Sequence, residues 1–152
     1  MGFYCKILKI EKLNTSKDTN ETGILVNYSD CKELFSKRAS TEDCIEYQYD
    51  GENVLMLKHI NAGFNCCPEI AVNISINNNT IEIEEIEISG VCKCLCLYDI
   101  NYEIKELNPG NYTIRVIEPF INEDEEILEL QVDLSYKISG SFCVDRYNYP
   151  WV

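Results

Sequence analysis

The residues with the greatest chemical capacity are nine cysteines and a single histidine in a chain of 152 residues. Five of the thiols stand in two tight groups, Cys66 and Cys67 in FNCCP, and Cys92, Cys94 and Cys96 in CKCLC. Cys5, Cys31, Cys44 and Cys143 are scattered, and His59 precedes the first group in HINAGFN. Thiolates beside an imidazole form a ligand set for zinc and similar thiophilic ions. The expected metal ligands are therefore drawn from His59, Cys66, Cys67, Cys92, Cys94 and Cys96, with Zn2+ as the expected ion. Two sulfurs on one tetrahedral Zn2+ lie about 4 Å apart, whereas same-face neighbours on a strand are separated by about 6.6 Å. A turn over residues 90–94, opened by Gly90, would have to bring Cys92 and Cys94 together, and no C-x-x-C spacing assists it.

Two other chemistries compete for the same thiols. Free cysteine packs as a small hydrophobe, and the parity of Cys92, Cys94 and Cys96 continues into Tyr98, Ile100 and Tyr102, so a straight strand would point all three inward. Disulfides are the third reading. The odd count leaves one thiol over, and adjacent Cys66 and Cys67 pair with each other only under strain, so bridges would join one group to the other. Cys31 with Cys44 is a separate candidate pair. A Cys–His nucleophile with His59 as base lacks a Gly-x-Cys-x-Gly elbow and any oxyanion motif, so no catalytic residue is assigned and a non-catalytic role is expected.

Composition narrows the partners. A net charge of −13 repels polyanions, which disfavours nucleic acid and acidic membrane surfaces. No apolar run approaches the roughly 18 residues that a membrane span requires. Lys6, Lys9, Glu11 and Lys12 interrupt the N-terminal apolar residues, and position 6 lacks the Ser or Thr of a myristoylation signal. The expected location is cytoplasmic, or exported if a leader has been removed. The N-x-S/T triplets at Asn14, Asn20, Asn27, Asn73, Asn78 and Asn111 follow from a chain rich in Asn, Ile, Lys and Glu, a bias of AT-rich microbial genomes. Asn122-Glu123-Asp124-Glu125-Glu126 lacks calcium-loop spacing and reads as a solvated turn. At the C-terminus Tyr147, Tyr149 and Trp151 offer an aromatic surface for a protein partner, and Arg146 a partner for a carboxylate.

The elements that position these residues read as strands. Ile127 to Ile138 alternates apolar and polar side chains over its whole length, the pattern of one long strand with a wet face. Asn73 to Ser89 reads as a hairpin turning at Asn77-Asn78-Asn79, with a bulge or a strand break at Glu84-Glu85 where the apolar phase slips from Ile81 and Ile83 to Ile86 and Ile88. Cys44 to Ile60 forms another pair around Asp50-Gly51, its VLML segment apolar on both faces and so central. Gly23 to Tyr28 is a short strand, and Asp30-Cys31-Lys32-Glu33 opens a short helix ending near Arg38.

Leu107-Asn108-Pro109-Gly110-Asn111-Tyr112, set between alternating strands, resembles the tyrosine corner of immunoglobulin-like sandwiches, in which the hydroxyl bonds upstream backbone. Eight or nine strands with regular turn signals and no linker imply a single all-β domain over residues 1–152. Its expected fold is an antiparallel two-sheet sandwich, immunoglobulin-like, with at most one short helix. The combination of HINAGFNCCPE, CKCLCLYD and YPW resembles a group of small cysteine-rich microbial β proteins. That resemblance implies no activity; it favours treating His59 and both cysteine groups as one site. The alternatives are a disulfide-stapled exported binding or adhesion module and a thiol-dependent enzyme or redox protein.

Overall fold

The computed structural model describes residues 22–32, 40–89 and 92–151. Nine strands run through them: β1 (Thr22–Tyr28), β2 (Glu42–Tyr49), β3 (Leu55–Asn65), β4 (Glu69–Asn77), β5 (Thr80–Ser89), β6 (Leu95–Lys105), β7 (Asn111–Ile117), β8 (Leu128–Asp133) and β9 (Ile138–Asp145). They form two sheets, in the orders β1-β6-β3-β2-β9 and β4-β5-β7-β8. Every pairing is antiparallel except β5 with β7. The expected two-sheet sandwich is therefore present, and no helix occurs among the described residues. Most of the short helix expected before Arg38 falls on residues outside the described ones, as does Cys5.

Period-two alternation builds the core. Tyr98, Ile100, Tyr102 and Ile104 of β6 face Tyr112, Ile114 and Val116 of β7 and Ile81 and Ile83 of β5, all buried. Full burial of one such aliphatic side chain contributes about 1.5–3 kcal/mol. The segment linking β6 to β7 carries the chain from one sheet to the other, and there Tyr112 Oη donates to the Asn108 carbonyl at 2.7 Å, the corner contact its sequence implies. At the turn after β2, Gly51 adopts φ +88° while Asp50 Oδ1 accepts the amides of Glu52, Asn53 and Val54. Asn78 and Asn79 supply the positive φ values, 48° and 62°, that close the β4–β5 hairpin. VLML is central as expected, because β3 occupies the middle of its sheet, although Met56 remains exposed on the outer face.

Two expectations are corrected. The long strand from Ile127 to Ile138 is broken at residues 134–137: β8 lies in one sheet and β9 in the other. Alternation persists across the break because Leu134 still points into the core, so periodicity alone gives no sign of the crossover. Nor is there a bulge or a strand break at Glu84-Glu85. Val72 pairs with Glu85 and Ala71 with Ile86 without interruption, and the irregularity lies further on, between Glu69 and Ile70. The strand stays straight, so Glu85 takes the inward position and Ile86 and Ile88 lie exposed.

One bulge that does occur is in β3. Between the pairs His59–Ile100 and Ala62–Tyr98, β3 spends three steps where β6 spends two. Asn61 takes φ +67° there, a conformation an Asn tolerates. Its carbonyl accepts the Trp151 indole N–H at 2.8 Å. Trp151 is fully buried and its ring lies over Gly63, where an added Cβ would stand 2.8 Å from the ring. Gly63→Ala should therefore destabilise the fold by about 1–3 kcal/mol and shift the emission of this sole tryptophan to the red; unchanged emission and stability would mean that the ring is not seated there. Three backbone amides hold the Asp50 carboxyl below its ordinary range. A depressed carboxyl contributes stability above its unfolded pKa of about 3.9 that is lost as pH falls through the folded value. Urea midpoints at pH 7 and pH 3 should accordingly differ less in Asp50→Asn than in the native chain.

Candidate functional site

Five strand alternations end or continue in a polar residue on the core-facing phase. They are Asp43 before Ile45, His59 after Leu55 and Leu57, Glu85 after Ile81 and Ile83, Glu118 after Ile114 and Val116, and Arg146 after Val144. All five are buried. Asp43 and His59 come from β2 and β3, Arg146 follows β9, Glu85 lies on β5 and Glu118 follows β7, so the five side chains bridge the two sheets.

His59 sits at the centre. Its Nε2 lies 2.6 Å from Asp43 Oδ1 and its Nδ1 lies 2.6 Å from Glu85 Oε1. Glu118 Oε1 stands 3.7 Å from Nε2. The Arg146 guanidinium takes the far oxygens: Nη2 is 2.7 Å from both Asp43 Oδ2 and Glu118 Oε2, while Nη1 donates to the Glu126 carbonyl at 2.5 Å. Tyr102 Oη donates to Glu85 Oε1. Arg146 thus realises the carboxylate pairing foreseen for it, and its guanidinium also lies 5.7 Å from the centre of the Trp151 ring.

Burial resists the charged imidazole, but Glu85 and Asp43 outweigh it and hold His59 well above its ordinary pKa, with both ring nitrogens donating. Burial likewise opposes ionisation of Asp43, yet His59 and Arg146 keep its carboxyl below the usual range. Glu118 is pushed well above that range, first by burial and then by Asp43 and Glu85, against the attraction of His59. Tyr102 is pushed well up by burial and by Glu85, which keeps it a neutral donor. Glu85 Oε2 and Glu118 Oε1 are buried without a hydrogen-bond partner among the described residues.

The residue types are those of acid–base catalysis, but the side chains of Asp43, His59, Glu85 and Arg146 are fully enclosed and that of Glu118 is 1% exposed. A substrate reaches them only by parting the sheets. Two surface depressions, one lined by Asn79, Tyr112 and Gln131 and the other by Tyr47, Met56 and Ser139, include none of these residues.

The cysteines lie elsewhere. Cys66 bonds to Cys94 and Cys67 to Cys92, joining the loop between β3 and β4 to the one between β5 and β6 with Cα separations of 5.5 and 6.0 Å. The two groups therefore meet, bridged group to group. The Cys31–Cys44 pairing expected from sequence is replaced by two bridges, Cys31–Cys96 and Cys44–Cys143. Cys44 and Cys143 face each other directly across β2 and β9, whose long-range pairing sequence spacing cannot reveal. Of the three thiols on one parity in CKCLC only Cys96 is buried, because β6 begins at Leu95 and Cys92 and Cys94 belong to the loop. The six proposed metal ligands do not converge on one centre: four are bridged at the loops, Cys96 is paired with Cys31, and His59 is held among carboxylates, some 20 Å of extended strand from Cys66.

Four disulfides point to an oxidising setting rather than a reducing cytosol, which favours the exported branch of the expected location over the cytoplasmic one. Among the described residues no helix is long and apolar enough to cross a membrane. Of the C-terminal aromatics, Tyr147 and Tyr149 are exposed, whereas Trp151 is buried and cannot join a contact surface.

Comparisons with protein-family models, curated proteins and solved structures return no match. The ion cluster makes its own prediction. Arg146→Leu strips two buried carboxylates of their shared partner and should cost about 3–5 kcal/mol, read from urea unfolding with the disulfides intact; a loss below about 1 kcal/mol would show that these charges are not paired in the core.

Proposed function

We propose that this chain is a disulfide-stapled β module of the extracellular space whose role is binding or adhesion rather than catalysis. The observation that carries this reading is the pairing of eight cysteines into four bridges that tie loops and edges together. Eight of the nine thiols, the main resource for a thiol enzyme, are consumed by that pairing. The acid–base side chains of the cluster are sealed from solvent, which withdraws them from substrates.

The binding surface follows from what is left outside. Tyr147 is 74% exposed and Tyr149 52% exposed, and both flank the buried Trp151 anchor. Tyr149 Oη also donates to the Leu95 carbonyl at 2.7 Å, which ties the C-terminal segment to the first residue of β6 beside the bridged loops. Aromatic rings on a fixed backbone bind at small entropic cost. The net charge of −13 favours a basic partner surface over an acidic one.

Counting thiols tests the reading. Purified protein, denatured and alkylated without reductant, should label at Cys5 alone, with the other eight cysteines labelling after reduction. Peptide mapping should recover the four pairs named above. Free thiols at Cys66, Cys67, Cys92 and Cys94 in the native secreted protein would overturn the stapled module.

A further inference from the structure

We propose that Asp43, His59 and Glu118 form a site for one structural divalent transition-metal ion, zinc first, enclosed between the two sheets. One donor atom from each residue already converges: Asp43 Oδ1, His59 Nε2 and Glu118 Oε1 lie within 4.8 Å of one another. Zinc bonds of about 2.0–2.2 Å place neighbouring ligand atoms about 3.3 Å apart in a tetrahedral arrangement. The observed separations of 2.6 and 3.7 Å from Nε2 straddle that value, so each carboxylate oxygen need move by less than about 1 Å.

The neighbouring side chains already orient these donors. Arg146 occupies Asp43 Oδ2 and Glu118 Oε2, which leaves Oδ1 and Oε1 turned towards the imidazole. Glu118 Oε1 has no hydrogen-bond partner among the described residues although its side chain is 1% exposed, and it is directed at Nε2. Glu85 accepts from Nδ1, fixing the tautomer that frees Nε2 for a metal, and Tyr102 holds Glu85 in turn. With all three carboxylates ionised, Asp43, Glu85 and Glu118 against Arg146 leave two negative charges, which a divalent ion on a neutral His59 would close at zero. Without an ion, protons on His59 and Glu118 reach the same balance, so the geometry and not the charge count carries the site. The bound ion takes the Nε2 lone pair, and the proton on that nitrogen leaves to solvent. An imidazole among the donors selects a first-row transition ion over calcium or magnesium, which take oxygen.

Because the site is enclosed, the ion enters as the sheets close and not afterwards. The test is therefore a refolding experiment on the full chain with its disulfides intact. Protein unfolded in guanidinium with a chelator is exchanged into buffer containing no metal, Zn2+, Co2+ or Ca2+, refolded, and desalted. About one equivalent of zinc should stay bound against added chelator, and the thermal midpoint should rise by roughly 10 °C over the metal-free sample. Cobalt should give weak visible bands without sulfur-to-metal charge transfer, which separates this site from one made by cysteines. Glu118→Gln should fold and retain less than about a tenth of an equivalent. The proposal is overturned if the native chain retains no zinc, if Glu118→Gln retains it equally, or if cobalt shows thiolate absorption. Equal midpoints with and without metal, together with an unchanged or raised midpoint in Glu118→Gln, would also overturn it, since a proton on Glu118 would then supply the missing positive charge.

Discussion

Five ionisable side chains enclosed between two sheets impose the strictest condition on this structure. Each ion removed from water costs several kcal/mol after relaxation, so each must find its partner. Asp43 and Glu118 share Arg146, and Asp43 and Glu85 share His59. Those pairings exist in one register only. A one-residue slip of β3 against β2 would turn His59 to the outer face and leave Asp43 and Glu85 without it. The apolar core around the cluster tolerates many substitutions of similar volume; the cluster tolerates few, because the loss of one member strands the others.

The disulfides act on a different part of the problem. Three of the bridges gather where β3 gives way to the loop after it and β6 begins, closing sequence separations of 65, 28 and 25 residues. Each removes entropy from the unfolded chain, an effect of about 2–4 kcal/mol for an unstrained bridge, which overlaps rather than adds when the loops are nested. The fourth, Cys44–Cys143, spans 99 residues and fixes the edge strand β9 to β2. Asp43 adjoins one of its cysteines and Arg146 lies three residues beyond the other, so this bridge also holds together the two strands that deliver an ion pair to the core. Staple and ion cluster meet there.

Local signals carried much of the fold. The Asn77–Asn79 and Asp50-Gly51 turns, the corner at Tyr112 and the strand periodicities are each determined within a few residues, and each was legible in sequence. The meeting of the two cysteine groups was legible too, because steric limits on adjacent cysteines direct a bridge from one group to the other. Partners separated by long stretches were not: Cys44 finds Cys143 only because β9 crosses back to lie beside β2. The candidate cluster was hidden by a habit of reading. At Glu85 a charged residue on the apolar phase resembles a slip of the phase, and the bulge inferred there conceals the one observation that matters, a carboxylate in the core. Val116 followed by Glu118, Val144 followed by Arg146, and Leu57 followed by His59 carry the same mark. One such residue is ordinary; five on inward phases call for a shared centre.

The order in which the strands supply the cluster has a consequence for how the domain is made. Asp43, His59, Glu85 and Glu118 have all left the ribosome before Arg146 does. Until that residue emerges, a nascent chain holds three carboxylates and one imidazole on surfaces that would have to close against each other. Closure before that point would bury Asp43 and Glu118 without their guanidinium, so vectorial synthesis disfavours a premature compact state. Arg146 is thus the member whose arrival completes the pairing of the buried carboxylates, and compaction without it is disfavoured.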